Sequence, residues 1–218
     1  LSNTEPQTRV SITDDGSTGY FVGTDKYIYG IFMNPNNPQE VRVSNLPEWD
    51  NVAISKDGQR LAAVSTSIDT SIYVFDFSGP TTRGVKYRLY NPTTANGGIN
   101  AGGVLYADAI SWDFSGEFIM YDAFNRVNGS FGNSIEYWDI GFLRAWNNAT
   151  NDFGDGQVFK LFNNLDEGIS AGNAEFSKNS PHIIAFDYFN TFTGTVEIIG
   201  ANLETGETGS IFSQSELG

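Results

Sequence analysis

Two carboxylates at matching positions, Asp50 and Asp108, are the first residues here that could do chemistry. Each stands at the entrance of an apolar stretch, DNVAIS for Asp50 and DAISW for Asp108. If those stretches lie side by side, the two acids converge, and converging carboxylates can hold a cation, bind a sugar or share general acid and base work. The plainer alternative is that each accepts hydrogen bonds from a neighbouring element and fastens it in place. A second oxygen-rich group lies in the stretch Asn147 to Gly156, where Asp152 and Asp155 sit among amide side chains and glycines. Hard cations prefer such oxygens, so Ca²⁺ is the one metal to consider, although the spacing lacks the order of a calcium hand. Within the same insertion Trp146 and Phe153 are candidates for stacking on a glycan or anchoring a peptide. Trp49, Trp138 and Phe131, at other loops and strand ends, are weaker candidates of the same kind.

Other chemistries lack their residues. The chain has no cysteine and one histidine, His182, which follows Pro181 without a nucleophile motif. A thiolate site, a histidine cluster and the usual zinc sites are therefore excluded, and His182 reads as a turn-edge residue. No residue is assigned a catalytic role. With 26 acidic against 12 basic residues the net charge is -14, and the few Lys and Arg are scattered, which argues against nucleic acid as a partner. No run is long enough to span a membrane. Residue 1 is Leu, and the expectation is that this is a processed or excised piece of a larger exported protein, periplasmic or secreted.

The elements that must position these residues are short strands. Among 218 residues are 24 Gly, 17 Phe, 10 Tyr and 4 Trp, a composition of many turns and flat aromatic packing. The most regular stretch, Asp50 to Gly79, reads as strand, Lys56-Asp57-Gly58 turn, strand, polar loop, strand. The unit recurs. An apolar register residue, Ile12, Ile54, Trp112 or Phe176, precedes the turns Thr13 to Gly16, Ser55 to Gly58, Asp113 to Gly116 and Ser177 to Ser180. Three further strands follow each turn, giving blades at 9–44, 50–90, 108–162 and 172–212 and sixteen strands in all. The stretches Asn91 to Gly103, Phe124 to Asn133 and Gly141 to Gly156 read as lengthened loops, the last with room for one helical turn.

A leading Asp, an apolar strand, a Ser-x-Asp-Gly turn and a strand ending in Asp before Gly together resemble the TolB-like and WD40-like β-propeller repeats, related to the propellers of prolyl-oligopeptidase-type peptidases. The leading Asp falls on Asp50 and Asp108, the turn Asp on Asp15 and Asp57, and the strand-ending Asp on Asp76 and Asp139. The outer copies depart from the pattern, with Thr8 and Gly172 at the leading position and Asn179 and Ser180 in the last turn. The resemblance implies an all-β propeller of four-stranded antiparallel blades, four of them visible and belonging to a larger ring. It speaks for fold and little for chemistry, because the matching residues build blades. The expected function is a non-catalytic binding or scaffold module that engages a protein or glycan through the long loops of the third blade. The alternative is a polysaccharide-active or peptidase-associated propeller contributing to a hydrolase or lyase. Edge-to-edge self-association is expected if the ring is incomplete.

Overall fold

A computed structural model describes residues 4–67, 69–92, 103–128, 134–162 and 165–213. Its strands fall into four antiparallel sheets of four, arranged as the blades of a β-propeller. Blade 1 holds β1 (Ser11–Ile12), β2 (Thr18–Val22), β3 (Ile28–Phe32) and β4 (Gln39–Arg42). Blade 2 holds β5 (Trp49–Ile54), β6 (Arg60–Ser65), β7 (Ser71–Asp76) and β8 (Arg83–Arg88). Blade 3 holds β9 (Val104–Trp112), β10 (Phe118–Asn128), β11 (Ser134–Arg144) and, after a two-stranded ribbon of β12 (Trp146–Asn147) and β13 (Asp152–Phe153), the outer strand β14 (Val158–Lys160). Blade 4 holds β15 (Ile169–Phe176), β16 (Ile183–Asn190), β17 (Thr195–Asn202) and β18 (Thr208–Ser213).

The repeated turn has a concrete geometry. Gly16, Gly58 and Gly116 all take φ near +70°, a region that a side chain disfavours. In the first two turns a hydroxyl donates to the turn Asp, Thr13 Oγ1 to Asp15 at 2.7 Å and Ser55 Oγ to Asp57 at 2.6 Å. In the third the residues exchange places and Ser115 Oγ donates to Asp113 at 2.6 Å. The same bond closes the turn with its polarity reversed, so Asp113-Phe114-Ser115-Gly116 substitutes for Ser-x-Asp-Gly.

Each blade buries its faces against the next, as a sheet with apolar residues on both sides must. Tyr20, Val22 and Ile28 of blade 1 pack on Trp49, Val52 and Leu61 of blade 2. Ile72 and Val74 of blade 2 join Ile119 and Leu143 of blade 3. Met120 and Ile140 of blade 3 meet Ile184 and Phe186 of blade 4. Among the described residues the first and fourth blades meet through an ion pair, Arg9 Nη2 to Glu175 Oε1 at 2.6 Å. The innermost strands of all four blades line an axial channel of about 440 Å³ that this pair spans.

Two expected loops are instead ordered strand. β10 and β11 pair without interruption from Phe118↔Arg144 to Asn128↔Ser134, so residues 124–128 extend the hairpin of blade 3. The stretch Gly141 to Gly156 contains no helical turn: β11 continues to Arg144 and the rest folds back as the β12–β13 ribbon. Of the stretch Asn91 to Gly103, residues 93–102 lie outside the described residues, as does Phe131. No helix of the described residues is long and apolar enough to cross a membrane.

Candidate functional site

The polar groups near the axis form a series of blade-to-blade fastenings. Asp50, on β5, accepts a hydrogen bond from Gln7 Nε2 at 2.9 Å and faces Lys26 Nζ at 3.3 Å, both from blade 1. The next residue, Asn51, donates from Nδ2 to the backbone oxygen of Asp108 in blade 3 at 3.2 Å. Asp122, on β10, takes the N–H of Ala109 on Oδ1 at 2.7 Å and that of Asn173, in blade 4, on Oδ2 at 2.9 Å. Asn173 has φ +53° at a β-bulge in β15, which turns its N–H toward that carboxylate. Asp50 thus serves a fastening role, and the carboxylate that reaches the following blade's backbone is Asp122, not Asp108.

Asp108 is different. Solvent reaches it within a concavity, and burial among the surrounding strands, with the Asp50 charge adding, pushes its carboxyl above the usual range. Asp122 lies deeper, and desolvation pushes it up to about 6 against the two N–H groups that favour its charge. Both acids open on a cleft of about 490 Å³ between blades 3 and 4. The ring of Trp138 forms one wall, half-buried and set against Phe124 at 5.3 Å and Tyr106 at 5.6 Å between ring centres. Phe189, Glu136 and Asp187 also line the cleft. Glu136 is paired with Arg126 at 2.7 Å, and Asp187 accepts from Asn173 Nδ2 at 2.9 Å. An aromatic wall with carboxylates at its margin suits a ligand that carries an apolar face and hydroxyl or amine donors.

The insertion does not supply such a surface. Trp146 is 0 % exposed, under the Arg60 guanidinium at 4.6 Å and edge-to-face with Phe153 at 5.5 Å. This corrects the expectation that its ring meets a partner: the β12–β13 ribbon turns Trp146 into the core between blades 2 and 3, and Tyr87 holds the ribbon there by donating to the carbonyls of Ala145 and Gly154. Phe153 is half-buried beside Arg83. Nor do Asp152 and Asp155 converge on a cation. Asp152 pairs with Arg83 at 2.9 Å and Asp155 faces Arg144 at 3.8 Å, so each acid is directed to its own guanidinium. Among the described residues no group of three or more His, Cys, Asp or Glu is placed to hold a metal.

Of the other candidates, Trp49 is core, edge-to-face with Tyr73 and Phe75, and Trp138 lines the cleft. His182 stands at the surface with Nε2 3.9 Å from Glu204. Asp122 and Asp187 were not singled out in the sequence, yet a signal existed. Each is the fifth residue of an otherwise apolar strand start, FIMYD and IIAFD, and an acid there needs a partner.

No protein-family model matches the sequence, and no curated protein matches it. Solved structures do match in shape. An oligogalacturonate lyase from Vibrio parahaemolyticus superposes over 98% of this chain and 55% of its own, with TM-score 0.56 at 12% identity. A protein provisionally named a 6-phosphogluconolactonase from Bacteroides uniformis matches over 93% of this chain and 52% of its own, with TM-score 0.50 at 13% identity. At such identities the likeness is one of fold, and this chain spans about half the length of the structures it matches.

Proposed function

We propose that the chain is a non-catalytic binding propeller of an exported protein, built from TolB-like repeats, and that it holds a glycan in the cleft between blades 3 and 4. The observation that carries this reading is the half-buried Trp138 ring facing the same cleft as Asp108 and Asp187. A sugar ring presents an apolar C–H face to an aromatic wall, and its hydroxyls donate to carboxylates at the margin. The long β10–β11 hairpin supplies the wall, which supports a binding role for the third blade carried by strand residues instead of the insertion. Titration calorimetry against a panel of neutral and amino-sugar oligosaccharides tests the reading. Trp138→Ala is expected to weaken the best binder about tenfold or more. Equal affinity for wild type and variant would remove the cleft from consideration.

A polysaccharide-active hydrolase or lyase is the second reading, supported by two neighbouring acids, Asp108 and Asp122, whose carboxyls are both raised. Against it, both oxygens of Asp122 are engaged by backbone N–H groups. Turnover of any panel member, lost in Asp108→Asn while binding persists, would favour the enzyme.

A further inference from the structure

Beside the apolar core between blades 2 and 3, the same face of blade 3 carries a buried polar group. Period two places Tyr121, Ala123 and Asn125 of β10 on this face, and cross-strand pairing brings Asp139 and Gly141 of β11 and Lys160 of β14 alongside them. Asn91, just past the end of β8 and 2 % exposed, covers them.

The amide of Asn91 can stand only one way. Its Nδ2 donates to Asn125 Oδ1 at 3.1 Å and to Tyr137 Oη at 2.8 Å, and the Nδ2 of Asn125 is itself committed to the carbonyl of Ala123 at 2.8 Å. Both amide hydrogens of Asn91 are thereby engaged, and its Oδ1 meets no donor. A second acceptor nearby is underused. Asp139 Oδ1 takes the N–H of Ile140 at 2.9 Å, but Oδ2 has only the ammonium of Lys160, with which it forms a buried ion pair. That ammonium has three N–H groups, of which the carboxylate takes one. Orphaned acceptors are costly in an interior, so the arrangement calls for a donor.

Asn91, Asp139 and Lys160 together line a cavity of about 10 Å³, walled also by Val104, Tyr121 and Ala123. That is room for one water molecule and no more. Charge narrows the occupant further. Asp139 and Lys160 neutralise each other, so a cation entering would meet the ammonium, and an anion would meet the carboxylate and the Asn91 oxygen. What fits is small, neutral and able both to donate and to accept.

We infer that one water molecule is bound in this cavity as a structural ligand, donating to Asn91 Oδ1 and Asp139 Oδ2 and accepting from Lys160 Nζ. Asn91 already ties the chain leaving blade 2 to β10 and β11 through Asn125 and Tyr137. The water extends that tie to β14, the outer strand of blade 3, by way of Lys160.

X-ray diffraction from crystals of the 218-residue chain, at a resolution that shows ordered solvent, is the first test. The expected result is one density peak within about 3.2 Å of both Asn91 Oδ1 and Lys160 Nζ. Crystals transferred to rubidium or bromide salts should give no anomalous signal at that point, and a signal there would make this an ion site and overturn the inference. In solution, oxygen-17 relaxation dispersion counts the waters held inside the protein. Ala123→Val adds two methyl groups to the cavity wall and leaves every polar group in place, so it should lower that count by one while the far-ultraviolet circular dichroism stays that of wild type. A cavity without density, or a folded Ala123→Val protein with the wild-type count, overturns the inference. Should that variant fail to fold, the diffraction result decides by itself.

Discussion

Asp122 Oδ2 accepts the backbone N–H of Asn173 at 2.9 Å, and this bond joins the third blade to the fourth. Its other oxygen holds Ala109 of its own blade at 2.7 Å, so one buried carboxylate satisfies two backbone donors. Removing it should orphan both. Asp122→Ala is expected to cost about 2–4 kcal/mol in urea denaturation, and Asp122→Asn, which keeps one acceptor, clearly less. Equal stability of all three proteins would show that solvent replaces the carboxylate.

The same residue makes stability depend on pH in a direction unusual for an acid. Its carboxyl is raised to about 6 in the folded chain, above the unfolded value of 3.8, so the folded state binds the proton more tightly. The stabilisation is fully present below pH 4 and is lost as pH rises through about 6, to the extent of about 3 kcal/mol at 1.4 kcal/mol per unit. Asp76 acts oppositely. Burial opposes its charge, but bonds from Ser78 and Arg83 prevail and hold it below the usual range, which favours folding at higher pH. Subtracting the curve of Asp122→Asn from that of wild type isolates the Asp122 contribution, and a flat difference between pH 4 and 6 would refute it.

Trp146 should behave as a core residue. Trp146→Ala removes a fully buried indole from beneath Arg60 and is expected to cost about 3–5 kcal/mol, read as a fall in the thermal midpoint. A variant of unchanged stability would return the ribbon to the surface.

Gly141 marks a tight approach within blade 3. A Cβ there would stand 2.6 Å from Cζ of the buried Tyr121, and Gly141→Ala is expected to destabilise by about 1–3 kcal/mol. Gly209, with nothing within 4 Å of the same atom, serves as the control, and Gly209→Ala should change stability by less than about 0.5 kcal/mol. Comparable losses at both positions would mean that the Tyr121 ring does not set the cost.

The blades were legible because their signals are local. A positive-φ glycine, a short side chain that bonds two residues away and a strand alternating at period two are each settled within about ten residues, and Gly16, Gly58 and Gly116 repeat them in register. The insertion was misread for a related reason. Its many Asn, Asp and Gly residues signal turns, and they do form the tip of the β12–β13 ribbon, but whether a ribbon lies on the surface or folds inward depends on Tyr87, far away in the chain.

By itself the sequence determined the class of the molecule: all-β, repeated, four-bladed, acidic, without thiol or histidine-cluster chemistry. Only the tertiary structure decided which side of each blade is covered, that Trp146 is core and Trp138 is cleft wall, and that Asp122 reaches Asn173 while Asp152 and Asp155 part company. Alternation along a strand divides its residues between two faces, but it does not say which face a neighbouring blade will occupy. That choice follows from contacts between residues tens of positions apart.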